Sequence, residues 1–205
     1  MATENVIARG LEAVGAHQQA ATRAARHNPE LHEAVRQLLA RGIRRLYATH
    51  RLAAERLPGV ADRAGAPELQ GALREAAERN EAQTQRLERV FRFAEFSVEG
   101  TPDKATQALL DDAQAAPADA PAGYARDQVL VAAAQLALHY ALAQYGTLRS
   151  HARTVGNDDA AKLLGESLEE LARADEALTA LALHLLASAP ATSDGPSAQQ
   201  GVGRA

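Results

Sequence analysis

Three residue types in this chain could hold a metal or relay a proton, and they recur at helical spacing. His50 and Asp175 occupy positions in patterns otherwise built from Leu, Ile, Val and Ala, as do Asn80 and Thr84, and Glu78 and Glu81 flank the latter two. A buried charge is costly unless it is paired or bound to a metal. Polar side chains on apolar stripes therefore need partners, and two readings are open. In one, a polar layer sets the register of packed helices, with His50 hydrogen-bonded to a carboxylate such as Asp175 or Glu81. In the other, Glu78-x-x-Glu81 puts two carboxylates on one helical face, where a bundle dimetal site would use them beside Glu and His from other helices. The polar layer is the simpler reading, because lone buried His and Asp are more often structural than functional. The chain has no Cys, which removes disulfides, thiolate zinc sites, iron–sulfur clusters and thiol nucleophiles. Any metal chemistry must come from His and carboxylates.

The elements that would position these residues are helices punctuated by Pro and Gly. A first helix is expected over about residues 3–25. His27-Asn28-Pro29 breaks it, with Asn28 as N-cap and Pro29 as the first helical residue of the next. That second helix runs from Pro29 to about Arg63, with a bend where Pro58-Gly59 sits. After the turn at Gly65-Ala66-Pro67 a third runs to about Glu95. A long connection to Gly123 holds Pro102, Pro117, Pro121 and a short helix near residues 103–115. A fourth long helix spans about 125–154, and Gly156-Asn157-Asp158 ends it and caps a fifth, to about Ala187.

The last four long helices each carry one apolar stripe at three- and four-residue spacing. The second helix, for instance, reads Val35, Leu39, Ile43, Leu46, His50, Ala53, Leu57, Val60. Four such stripes bury one another in an antiparallel bundle. The long connection falls between its second and third helices, the crossover of a ferritin-like topology. The expected organisation is an N-terminal helical extension over 1–28, the bundle over 29–187, and a disordered tail over 188–205, where Pro, Ser, Gly, Gln and Ala dominate.

Composition agrees with an all-α chain. It has 205 residues, a formal net charge of -4 and only 3% aromatics, and Ala, Leu, Arg and Glu are strong helix formers. The start lacks a secretory signal, and the most apolar stretch, Val129 to Tyr145, is interrupted by Gln135, His139 and Gln144. We expect a cytoplasmic protein with no membrane contact. Arg41, Arg44, Arg45, Arg51 and Arg56 form a basic face, but Glu55 and the net acidity point to a solvated or partner-binding surface and not to nucleic acid. No G-x-S-x-G elbow and no phosphate-cradling Gly loop is present. His139 is expected to pack or hydrogen-bond beside Tyr140, and Phe91, Phe93 and Phe96 to cap the core at one helix end.

Asp127 to Leu148, with AAAQ at 132–135, HY at 139–140 and YGTL at 145–148, resembles a helix of the YciE/YciF family of bacterial ferritin-like stress proteins. The stretch from Ala160 to Ala182 resembles that family's last helix. RRLYATHR at 44–51, RLP at 56–58, APEL at 66–69 and QRLERVF at 85–91 align to its first two. The resemblance covers about Leu31 to Leu185. It implies a ferritin-like four-helix bundle, a homodimer, a link to stress responses and a candidate dimetal centre.

Set against that family's pattern, the ligands are incomplete. His50 stands where the first bundle helix has Glu, and Glu78 with Glu81 stand for the Glu-x-x-His of the second. On the third, the acidic positions either side of HY are Leu138 and Ala141. On the fourth, Glu169, Glu170 and Asp175 remain, but Leu171 interrupts the acidic run. A dimetal site needs carboxylates from all four helices to neutralise its cations and complete octahedral geometry. The expectation is a degraded site at Leu138, Ala141 and Leu171, with no resident cofactor and no catalytic residue, in a protein acting through dimerisation or protein interaction. The alternative is a rearranged site of His50, Glu78, Glu81, Glu170 and Asp175 binding iron or manganese and handling iron or peroxide. A third possibility is an adaptor whose amphipathic segment near Val6–Ala25 docks a partner.

Overall fold

Pro29 opens the longest helix of the molecule because its missing N–H is one the first turn leaves unpaired in any case. Asn28 caps it, its Oδ1 accepting from the Leu31 N–H at 3.0 Å. In a computed structural model, which describes residues 2–119 and 123–188 and the side-chain surroundings of 13–115, 123 and 125–188, this helix is α2. The order is α1 (Ala2–His27), α2 (Pro29–Ala61), α3 (Pro67–Phe93), α4 (Lys104–Asp119), α5 (Tyr124–Thr154) and α6 (Asp158–Ala187). Pro58 lies inside the last turn of α2, and the Asp62 N–H donates to its carbonyl at 3.1 Å. The helix passes through that proline and stops three residues later. The expected tail from residue 189 onward and Pro121 lie outside the described residues.

Helices α2, α3, α5 and α6 form the bundle. Its direction follows from pairs of residues in contact. Asp127 at the start of α5 accepts from the Gly65 and Ala66 N–H groups before α3, at 2.7 and 2.9 Å. Asn157, just after α5, donates to the carbonyl of Phe93 at the end of α3 at 2.8 Å. So α3 and α5 run parallel, and the segment between them must travel the bundle's length, roughly 40 Å for 27 residues at 1.5 Å rise. Helix α4 makes that journey, lying against α2 and α5. This is the ferritin-like crossover, and it forces each neighbouring pair of bundle helices to be antiparallel.

The α5–α6 corner is built by local chemistry. Gly156 has φ +74°, a conformation that suits glycine. The Asn157 N–H reaches the Ala152 carbonyl at 2.8 Å and the Gly156 N–H reaches Arg153 at 3.1 Å, the two bonds of a Schellman ending. Asn157 Oδ1 then caps α6 through the Ala160 N–H at 3.0 Å.

The core has two clusters. One gathers Leu39, Ile43, Leu46, Leu87, Phe91, Tyr145, Leu148 and Leu164. The other gathers Leu57, Val60, Leu69, Leu73, Leu130 and Val131 toward the opposite end. Of the three phenylalanines, Phe91 is buried in the first cluster, Phe96 packs against it beneath the Arg36 guanidinium, and Phe93 is exposed. Helix α1 joins the bundle through its second half: Gln18 donates to the Ser150 carbonyl and to Thr154 Oγ1, and Ala25 is buried. The side chains of its first half, which include Val6, Ile7 and Leu11, lie outside the described residues.

Candidate functional site

His50 is 1% exposed, at the seam between the two core clusters. Helix α2 places it there because residues 43, 46, 50, 53 and 57 share one face. Its Nδ1 lies 2.6 Å from Asn80 Oδ1 on α3, and its Nε2 lies 2.9 Å from the Tyr145 hydroxyl on α5. Asn80 Nδ2 donates to the Ala76 carbonyl at 2.7 Å. That bond fixes the amide so that its oxygen faces the ring, and the ring must donate from Nδ1.

The chain of bonds continues across the bundle. Tyr145 donates to Gln83 Oε1 at 3.1 Å, and Gln83 Nε2 donates to Glu170 Oε2 on α6 at 2.7 Å. Arg86 closes it, its Nη1 donating to Glu170 Oε2 at 2.7 Å and to Gln83 Oε1 and Ser167 Oγ at 3.1 Å. Each of the four bundle helices contributes a member. Gln83 and Ser167 are buried as deeply as His50, whereas Arg86 and Glu170 reach partway to solvent.

Burial lowers the His50 ring to about 4, against the opposing pull of its Asn80 hydrogen bond and the Glu170 charge. Burial likewise pushes the Tyr145 hydroxyl well above the ordinary tyrosine range. At neutral pH both are uncharged. Tyr145 then has one proton facing two acceptors, His50 Nε2 and Gln83 Oε1, and satisfies one at a time.

A second polar group lies where α4 meets the bundle. Buried Asp103 accepts from Arg45 Nη2 at 3.0 Å, from the Tyr140 hydroxyl at 2.8 Å and from the Ala105 N–H at 3.1 Å. Burial alone would raise this carboxyl, but the Arg45, Tyr140 and Ala105 hydrogen bonds outweigh it and hold it below the usual carboxylate range. It anchors the crossover to α2 and α5.

The sequence-derived ligand candidates do not meet. Glu78 and Glu81 are exposed: the inward face of α3 follows 73, 77, 80, 83 and 87, and positions 78 and 81 lie about 160° and about 100° around the helix from its centre. Asp175 accepts from His139 Nε2 at 2.9 Å and is not a partner of His50; of the two expectations for His139, packing or hydrogen bonding, the structure shows a hydrogen bond, to α6. Glu170 is held by Gln83 and Arg86. His50 bonds an amide and a phenol, not the expected carboxylate. Among the described residues no three His, Asp or Glu side chains gather where one ion could be held. Leu138, Ala141 and Leu171 stand inside the bundle facing the same interior as His50. This donor set does not fit a dimetal centre: one imidazole is engaged at both nitrogens, and apolar groups occupy the opposite wall.

Four members of the network, Gln83, Arg86, Tyr145 and Ser167, escape the sequence reading. Gln83 lies three residues after Asn80 and four before Leu87, so its stripe position was legible, but Thr84 fits the same spacing. Thr84 in fact bonds back to the Asn80 carbonyl at 2.9 Å. Tyr145 counts as an apolar stripe residue, and its hydroxyl carries the central link.

The comparisons with known proteins agree on the fold. A profile of a family described as a domain of unknown function, DUF892, matches residues 34–189. Protein YciF of Escherichia coli K12 is 41% identical over 80 residues, 39% of this chain; that alignment spans 48% of YciF, about half its length. A crystal structure described as the E. coli stress protein YciF superposes with TM-score 0.71 at 27% identity, covering 75% of this chain and 98% of that one. The YcfI protein of Rhodopseudomonas palustris gives TM-score 0.68 at 28% identity over 71% and 92% of the two chains. A Xanthomonas campestris protein, 17% identical with TM-score 0.58, shares the fold.

Proposed function

The chain belongs to the DUF892 family, and from that premise we propose that it is a non-catalytic ferritin-like member of the YciF group, acting in the cytoplasm as a homodimer or through another protein partner in a stress setting. The observation that carries this reading is the His50–Tyr145–Gln83–Glu170–Arg86 network. It occupies the interior that a dimetal centre would need and satisfies its polar atoms with amides, a phenol and a guanidinium. Such a network fixes helix register and provides no open coordination position and no activated nucleophile. In further support, Leu138, Ala141 and Leu171 place apolar groups where the family resemblance puts acid.

The interaction half of the reading rests on the surface. Leu136 of α5 and Leu183 and Leu186 of α6 are exposed, the first two by more than half. Large apolar side chains left on one side of a bundle suit a protein contact. The test is elemental analysis and sedimentation of the purified chain beside His50→Ala and Leu183→Asp. The reading predicts well under one transition metal per chain in all three, a dimer for the parent and a monomer for Leu183→Asp. One or more equivalents of iron or manganese, lost in His50→Ala, would favour the rearranged metal site.

A further inference from the structure

Beside His50 the bundle interior widens into a cavity of about 170 Å³. Alanine and leucine supply most of its wall. Small residues face one another from several helices, among them Ala53 of α2, Ala76 of α3, Ala134 and Ala137 of α5 and Ala174 of α6. Helices held apart by the larger side chains of the neighbouring cluster cannot close on methyl groups. Two lining residues of α3, exposed Glu75 and half-buried Arg79, bring the cavity toward solvent on that side.

Glu75 and Arg79 pair with each other at 3.8 Å; the remaining polar lining, Thr49, His50, Asn80 and Thr106, carries no charge at neutral pH. The Thr49 and Thr106 hydroxyls bond each other at 3.0 Å, and His50 is engaged at both nitrogens. Asn80 differs. Its Nδ2 gives one proton to Ala76, and the second has no acceptor among the described residues.

Volume and chemistry together select a ligand class. An apolar cavity of about 150 Å³ takes up benzene, so this one suits a molecule of roughly six to nine non-hydrogen atoms. Its apolar wall rejects an ion, which would lose its hydration without compensation. The spare Asn80 N–H calls for an oxygen acceptor. We propose that this cavity is a binding site for a small neutral molecule with an aromatic or compact alkyl body and one acceptor oxygen, such as a ketone, which Asn80 Nδ2 receives. The site is additional to the interaction role proposed above and does not depend on it.

The full chain would be titrated with acetophenone, with its hydrocarbon isostere cumene, and with benzoate, followed by alanine-methyl NMR and thermal unfolding. Acetophenone is expected to shift the wall alanine methyls saturably at one molecule per chain and to raise Tm by roughly 3–6 °C at ten times its Kd. Cumene should bind about three- to tenfold more weakly, for want of the hydrogen bond, and benzoate should leave the wall methyls unmoved. Ala137→Leu, or Ala134→Val if the first does not fold, should weaken acetophenone at least about tenfold by occupying the space. No saturable shift, shifts confined to surface methyls, benzoate binding like acetophenone, or cumene binding as tightly as acetophenone would each overturn the proposal.

Discussion

The two ends of the bundle interior are filled in opposite ways, and they meet at His50. Toward the α5–α6 corner, large apolar side chains interlock around a hydrogen-bond network that spans all four helices. Toward the α2–α3 turn, alanines and leucines supply most of the wall of a cavity. The lesson is that ferritin-like topology does not dictate what the centre contains. The crossover fixes which helices are neighbours, while the side chains at each level, Leu138, Ala141 and Leu171 among them, set how polar that stretch of the interior is.

Matched core truncations test this contrast most strongly. Leu164 and Leu130 are equally buried, one in each cluster. Leu164→Ala should cost about 4 kcal/mol in urea unfolding, within the range for a tightly packed leucine. Leu130→Ala, at a wall that already lacks contacts on the cavity side, should cost about 2–3 kcal/mol. Equal losses would mean that the two halves are packed alike.

The polar half should also betray itself through pH. His50 titrates near 4 when folded and near 6.5 when unfolded, so the unfolded chain takes up the proton first as pH falls. The stabilisation is fully present above about 6.5 and drains away between 6.5 and 4, by roughly 3 kcal/mol in total. The depressed Asp103 carboxyl adds a loss at still lower pH, as it is forced to protonate. His50→Gln should flatten the first of these slopes and leave the second. A parent protein whose stability is level from pH 7 to 4.5 would contradict the buried neutral ring.

Tyr145→Phe isolates one link. It removes the hydroxyl between His50 and Gln83 while keeping the ring, and should cost about 1–2 kcal/mol. A neutral outcome would reduce the network to a set of local bonds.

Much of this architecture was legible in the sequence because it rests on strong local signals. Asn28-Pro29 and Gly156-Asn157 mark helix ends through capping, and the stripes of α2, α3 and α6 give the buried faces, so the helix boundaries agree to within a few residues. The crossover helix was expected over 103–115 and runs to Asp119. The site was legible only in part. His50 and Asn80 emerged as a polar break in an apolar stripe, but their mutual bond did not, since helix periodicity fixes which face a residue takes and not which atom it meets. Glu78 and Glu81 looked like ligands because an i, i+3 pair shares a face; which face that was depended on packing. Glu170 became an Arg86 and Gln83 partner only once α3 and α6 were aligned antiparallel.

The most direct test of the central claim, that this interior is held by its own hydrogen bonds and not by metal, is the thermal unfolding of chelator-stripped protein before and after adding iron(II) or manganese(II). A centre built from the surviving His and carboxylates would bind the native state alone and raise Tm by several degrees or more. The account predicts a change within about 1 °C. A saturable rise of about 5 °C or more, abolished in His50→Ala, would contradict it.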